Sequence, residues 1–320
     1  MMTAPEKIRG ERIDLLDIAR GCALLAMLVY HFTWDLEFFG YLAPGFAQVG
    51  GWKLFARIIA SSFLILVGVS LVLAHGRGVR WASFRKRLLQ IAAGAAAISL
   101  ATYLFTPQGF VFFGILHLIA VGSLLGLPFL RLPFWLTGLL AVALVAISFS
   151  FTTPLTDSRW LAWIGFSEHP PLSNDFVPLF PWFGAILFGI AIAQAIGRFN
   201  QWPVLSRLNA PLRALWPLST LGKHSLLFYL VHQPVSIGIV ALVAFLAPPD
   251  QTEAFQASCR QTCEKDRDAA FCQSYCGCVQ TRLESDKLLD RLLRGQLTED
   301  ERQKVGETVN ACSFALPASP

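Results

Sequence analysis

Seven apolar stretches, each near the length of a membrane-crossing helix, occupy most of the first 247 of the chain's 320 residues. Inside lipid the backbone must satisfy its own polar groups, so a spanning segment is helical and about 20 residues long. The stretches run approximately from Ile13 to Phe32, Leu54 to Ala74, Leu88 to Phe105, Phe110 to Leu130, Phe134 to Phe151, Leu179 to Gly197 and Leu221 to Leu246. Linkers such as Thr106-Pro107-Gln108-Gly109 and Arg131-Leu132-Pro133 leave room only for tight reversals. The first stretch carries Asp14, Asp17 and Arg20 and leads into Trp34 and Asp35, which marks a retained helix rather than a cleaved secretory signal.

Charge divides the chain. Residues 1–247 hold 17 basic and 9 acidic side chains and residues 248–320 hold 9 and 12, so a basic apolar part precedes a polar tail. Lys7, Arg9, Arg12, Arg77, Arg80, Arg85, Lys86, Arg87, Arg131, Arg198, Arg207, Arg213 and Lys223 fall in the leader and the even-numbered links, against Lys53 and Arg159 in the others. The positive-inside rule then puts the N-terminus in the cytoplasm and, after seven crossings, the tail outside. The basic charge reads as topology, with no nucleic-acid signature, and the cluster Arg77, Arg80, Arg85, Lys86 and Arg87 has phosphate contact as its second reading. The tryptophans fall where such a map places the two interfaces.

Six of the seven cysteines, Cys259, Cys263, Cys272, Cys276, Cys278 and Cys312, lie in the tail. An even set in a short charged segment suits a disulfide-stapled domain in an oxidising compartment. The two C-x3-C pairs set cysteines one helical turn apart, a spacing that fastens two helices side by side, and Thr298 with Glu301 has capping-box spacing for a later helix. Six cysteines allow 15 pairings and the sequence does not choose among them; a cysteine metal site is the rival reading, although the C-x2-C form is missing. Cys22, alone in the first span, reads as a small buried apolar residue. The expected fold is therefore all-α: about seven transmembrane helices over residues 1–247, then a small helical, disulfide-stapled extracytoplasmic domain over 248–320.

Ionisable groups within membrane helices are costly and mark candidate sites. At 100° per residue Asp17, Arg20, His31 and Asp35 share one sector about 60° wide, a single polar stripe on the first helix. Arg20 and His31 stand roughly 16 Å apart along the axis, with the cation toward the predicted cytoplasmic side. A long ligand with an anionic end fits such a stripe; the alternative is a stabilising device, in which Asp17 pairs with Arg20, Asp14 is a structural or pairing residue, and His31 and Asp35 form an interfacial polar cluster. His117 in the fourth span suits either packing or proton transfer. Ser225, Tyr229, His232 and Gln233 share a face of the last span, where Pro234 should introduce a kink. Three functions remain open on these residues: an acyltransferase, a transporter with an intramembrane polar path, and a membrane anchor that presents the tail to a partner.

Several segments resemble a known family. Arg12-Ile13-Asp14-Leu15-Leu16-Asp17-Ile18-Ala19-Arg20-Gly21, Gly114-Ile115-Leu116-His117-Leu118-Ile119-Ala120, Val177-Pro178-Leu179-Phe180-Pro181-Trp182-Phe183-Gly184 and Leu221-Gly222-Lys223-His224-Ser225 through His232-Gln233-Pro234 occur in order. Together they resemble the membrane acetyltransferases that include heparan-alpha-glucosaminide N-acetyltransferase, in their smaller bacterial branch. The spacing of Arg20 and His31 is also similar to the R-x10-H pattern of integral-membrane O-acyltransferases. The resemblance implies a multi-pass protein of the bacterial inner membrane, with acetyl-CoA as cytoplasmic donor and no metal. The implied acceptor is an amino or hydroxyl group of an extracytoplasmic glycan or lipid-linked sugar. It casts Arg20 on the anionic donor, His31 as general base and Asp35 as its orienting carboxylate. His117, Ser225, Tyr229, His232 and Gln233 become candidates for substrate contact or proton transfer. The tail lies outside the resemblance, and its expected partner is a second copy of the chain or a periplasmic protein.

Overall fold

A computed structural model describes residues 13–43, 45–207, 214–249, 251–293 and 297–315; Lys7, Arg9, Arg12 and Arg213 lie outside them. Among these residues the structure is helical and without strands. In chain order the helices are α1 (Asp14–Phe38), α2 (Gly50–His75), α3 (Trp81–Phe105), α4 (Ile115–Gly126), α5 (Phe134–Ser150), α6 (Arg159–Ala162) and α7 (Leu179–Arg198). There follow α8 (Trp202–Arg207), α9 (Trp216–Lys223), α10 (Ser225–Leu246), α11 (Gln251–Cys263), α12 (Ala269–Ser285), α13 (Leu289–Leu293) and α14 (Glu299–Ala315).

Every predicted span has a helix, and five of them (α1, α2, α3, α7 and α10) are long and apolar enough to cross a membrane. The protein is therefore a multi-pass membrane protein. The fourth and fifth predicted spans become shorter apolar helices of 12 and 17 residues. At about 1.5 Å per residue neither covers the full hydrocarbon thickness as helix alone. For α4 the cause is local: Gly114 in extended conformation starts it late, and Pro128 opens a separate 3-10 turn after it. The predicted start of the last span at Leu221 is also revised. There α9 ends at Lys223, the His224 amide turns back onto the carbonyls of Thr220 and Leu221, and α10 begins at Ser225. Once begun, α10 continues through Pro234 as one helix.

The chain forms two compact units whose boundary cuts α1, α2 and α10. The first joins the residues up to Leu28 to Leu54–Gln233, and the second joins Val29–Lys53 to the residues from Pro234 onward. The core of the first unit contains Leu64, Leu71, Ile91, Leu118, Phe183, Ile186 and Ile190. One helix crossing within it, α2 on α7, brings backbones together at two glycines. A Cβ on Gly68 would lie 2.1 Å from the Ile186 carbonyl oxygen, and one on Gly189 would lie 2.1 Å from that of Ile65. Where the surroundings are as apolar as the side chains, such close approach supplies the dispersion contact that burial from water supplies in soluble proteins. Many large apolar residues remain on the surface, among them Leu89, Leu104, Leu139 and Leu227, as a lipid-facing exterior requires. Cys22 belongs with them. It is free and exposed, not buried as expected, because outward faces of a membrane helix accept small apolar groups as readily as its core does.

In the second unit Cys259–Cys276 and Cys263–Cys272 fasten α11 to α12, and Cys278–Cys312 fastens α12 to α14. The turn-spaced cysteines thus clamp two helices side by side, and the six sulfurs are spent on one another rather than left as thiolates for a metal. Val279, Leu283, Leu288 and Leu289 pack with Cys312 in a small core. Asp268 caps α12 by accepting from the Phe271 amide at 2.9 Å. Before α14, the Glu301 carboxylate reaches back to the Thr298 amide at 2.8 Å, one half of the expected capping box.

Candidate functional site

The first unit contains a cavity of about 580 Å³, within the range of small-molecule sites. Its polar lining comes from Asp17 and Arg20 on α1, Arg87 and Gln90 on α3, and Lys223, His224, Ser225 and Tyr229 around the α9–α10 junction. Leu24, Phe63, Val67, Ile91, Ile115 and Leu116 supply much of the apolar wall.

The turn of α1 at this cavity is fixed by charge. Arg20 donates from Nη1 to Asp17 Oδ1 and from Nη2 to Ser70 Oγ, both at 2.6 Å. Ser70 in turn donates to the Leu66 carbonyl on its own helix at 2.5 Å. Asp17 is buried, and its pairing with Arg20 meets the condition under which a charge is tolerated there. Asp14 lies 3.9 Å from Lys223 Nζ.

Glycine brings the last helices to the same place. A Cβ on Gly222 would sit 1.8 Å from the Asp17 carbonyl oxygen, and one on Gly21 would sit 2.2 Å from that of Leu218. The two backbones touch only because both residues lack a side chain. That contact carries Lys223, His224 and Ser225 to the level of Arg20.

The charged lining gathers at one end. Arg20 precedes Leu24 by about one turn on α1, Arg87 precedes Ile91 by about one turn on α3, and Lys223 precedes Leu230 by about two turns into α10. Because Arg20 is bonded to Ser70 near the end of α2, and Asp17 touches Gly222, these helix ends are level. Three cations against one carboxylate form the mouth, and apolar side chains form the interior.

Behind the interior lies a residue the sequence reading passed over. Asp175, in the loop before α7, accepts from the Ile115 amide at 3.0 Å and from the Tyr229 hydroxyl at 3.4 Å. A Cβ on Gly114 would lie 2.2 Å from its Oδ2, so glycine there is what lets the carboxylate reach the start of α4. Burial raises the pKa of Asp175 above the ordinary carboxylate value, against the lowering effect of those two hydrogen bonds. Gln90 also left no signal in the sequence. Arg87, one of the basic cluster expected to set topology or to meet phosphates, shares a face of α3 with Gln90 and the buried Ile91 and Gly94.

The other candidates fall in different settings. His117 accepts from the Gly114 amide at Nδ1, 3.2 Å, and its Nε2 lies 3.2 Å from Ser99 Oγ, which donates to the Val111 carbonyl. Both ring nitrogens therefore serve the entry into α4. His232 is buried, with Nδ1 2.7 Å from the Tyr229 carbonyl, and Gln233 follows it at the end of the first unit's part of α10. His31 and Asp35 belong to the second unit. There Asp35 is fully buried and accepts from the Ser236 hydroxyl at 2.5 Å, while half-buried His31 stands edge-on to Tyr30. Glu37 organises the turn that follows by accepting from the Gly45 and Ala47 amides, at 2.5 and 2.9 Å. Gly45 there has φ of 81°, a left-handed conformation suited to glycine.

Among the described residues no cluster of histidine, cysteine and carboxylate side chains has the makings of a metal site. The sequence model of the family described as "Heparan-alpha-glucosaminide N-acetyltransferase, catalytic" matches residues 12–234, which takes in the cavity, the Asp175 loop and the segment bearing His31 and Asp35. Neither the curated proteins nor the solved structures contain a match.

Proposed function

Since the chain belongs to the heparan-alpha-glucosaminide N-acetyltransferase catalytic family, we propose that it is an integral-membrane acetyltransferase using acetyl-CoA as donor. The acceptor in this reading is an amino or hydroxyl group of a glycan or lipid-linked sugar on the far side of a bacterial inner membrane. The observation that carries it is the cavity of the first unit. A cationic mouth formed by Arg20, Arg87 and Lys223 suits the phosphates of CoA, and an apolar interior suits the acyl-bearing arm. The mouth lies at the helix ends that the distribution of lysine and arginine assigns to the cytoplasm, where acetyl-CoA is made.

His31 is assigned as general base. It takes the proton of the acceptor as nitrogen or oxygen attacks the thioester carbonyl. The new C–N or C–O bond replaces the C–S bond, and CoA leaves as thiolate to be protonated. Imidazole suits the step because it exchanges a proton near neutrality. Asp35 orients His31 from one turn further along α1. Tyr229 and Ser225 contact the donor, and His232 and Gln233 are its neighbours in α10.

The test is transfer of labelled acetyl from acetyl-CoA to membrane glycans by the purified full chain in lipid nanodiscs. His31→Ala is expected to lower transfer by at least a hundredfold while acetyl-CoA binding persists. Near-wild-type transfer by that variant removes His31 from the chemistry, and absence of donor binding by the folded wild type removes the acetyltransferase reading.

A further inference from the structure

Resting on the donor-site reading above, we propose that Arg87, assisted by Lys223, is the residue that recognises the phosphate end of the donor, whereas Arg20 is a structural member of the cavity wall. The cations of the mouth are not equivalent. Both terminal nitrogens of Arg20 are engaged, one by Asp17 and one by Ser70, each at 2.6 Å. Its charge is matched by a buried carboxylate three residues away, and a phosphate would have to compete with that carboxylate for the same guanidinium.

Arg87 differs on each count. It lines the same cavity, it is exposed, and among the described residues no carboxylate or carbonyl takes a hydrogen bond from it. The nearby charge that acts on it is Arg20, a like charge, so an anion placed between them relieves repulsion as well as gaining attraction. A planar guanidinium with free N–H groups is also suited to bidentate contact with a phosphate. Lys223 adds a second cation. Its ammonium is 3.9 Å from Asp14, a loose contact between side chains each about one-third exposed. Gln90, one turn after Arg87 on the same face, is positioned as a neutral donor just inside the mouth.

The division has a specificity consequence. A donor is selected by its phosphates at Arg87 and Lys223, and the thioester arm past Gln90 contributes apolar contact that does not distinguish CoA from pantetheine. Removing Arg87 should therefore erase discrimination between the two, whereas removing Arg20 should damage the helix packing of the site for either ligand alike.

The experiment is calorimetric titration of the full chain in nanodiscs with CoA, 3′-dephospho-CoA and pantetheine, for wild type, Arg87→Gln, Arg87→Lys and Arg20→Gln. Wild type is expected to bind CoA at least about tenfold more tightly than pantetheine, the scale of a charge-assisted hydrogen bond. Arg87→Gln should lose about tenfold for CoA with pantetheine unchanged, and Arg87→Lys should recover part of the loss. Arg20→Gln should weaken both ligands by a similar factor or lower the melting temperature. An undiminished preference for CoA in Arg87→Gln overturns the inference and leaves the donor site standing. So does a preference lost only in Arg20→Gln. Should Arg87→Gln not fold, equal wild-type affinity for CoA and pantetheine overturns it without any variant. A folded wild type that binds none of the three overturns the donor reading itself.

Discussion

Asp17, Arg20 and Ser70 are polar groups set in an apolar bundle, whereas Val279, Leu283 and Leu289 are apolar groups set in a polar tail. Each region is organised by its minority chemistry. In the bundle nearly any apolar residue can face any other or the lipid, so general hydrophobicity chooses no particular arrangement. Specificity comes from close glycine crossings and from charges that must find partners. The tail has too few apolar residues for a core of ordinary size, and its three disulfides supply the constraint that burial supplies elsewhere.

The largest expected effect tests the tail half of this contrast. With each disulfide worth roughly 3 kcal/mol, reduction of all three should unfold α11–α14. Proteolysis of the reduced full chain should then cut within residues 251–315, while the first unit retains its helical signal and its donor binding. Retention of protease resistance after complete reduction would show that the small core suffices.

The next tests the bundle half. Asp17→Ala leaves the Arg20 guanidinium without its carboxylate in a half-buried position, at a cost of about 3 kcal/mol. The expected result is a lower melting temperature for the first unit and weaker ligand binding of every kind, with the tail's disulfides and protease resistance unchanged. Asp17→Asn, which keeps an acceptor for Nη1, should fall between.

A smaller effect is expected at Asp175. Asp175→Ala strands the Ile115 amide at the start of α4 and should cost about 2 kcal/mol. The pH dependence has a definite sign. Burial raises the folded-state pKa above its ordinary 3.8, so the folded protein holds this proton more tightly than the unfolded chain does. Stability from this group is full below the ordinary value and declines as pH rises toward the raised one. Asp175→Asn keeps a carbonyl acceptor for Ile115 and should abolish that slope in a thermal-melt series.

The smallest effect sharpens the comparison from the tail's side. The Thr298 amide, followed by its hydroxyl and by Arg291, holds the Glu301 carboxyl below its ordinary 4.5. Its contribution is fully present above that value and fades as pH falls through the lowered one. A shallow acid-side loss of α14 helicity is expected and should vanish in Glu301→Gln. A loss unchanged by that substitution would assign it to other carboxylates.

Part of the site could be read from local spacing. Asp17 and Arg20 are three residues apart and pair; Cys259 with Cys263 and Cys272 with Cys276 are one turn apart and clamp α11 to α12. Such contacts depend on helix period alone. Asp175 left no comparable signal, since its partners, the Ile115 amide and the Tyr229 hydroxyl, are 60 and 54 residues away. His117 was legible as a polar residue in a span but not as the cap of a helix that begins one residue after Gly114, because that start depends on the loop folding over it.

By itself the sequence determined the helical class, the apolar segments, the basic asymmetry, the oxidising chemistry of the tail and the family to which residues 12–234 belong. All but the family follow from composition and short-range periodicity, which act whatever the neighbours are; the family follows from motifs matched in order. Tertiary structure alone decided that Arg87, Lys223 and Arg20 share one cavity and that Ser70 takes the second terminal nitrogen of Arg20 there. It also selected one disulfide pattern from fifteen. The physical reason is common to all of these. Each depends on which helices lie side by side, and in an apolar bundle that choice rests on a few glycine contacts and buried partners whose sequence separation carries no trace of their proximity.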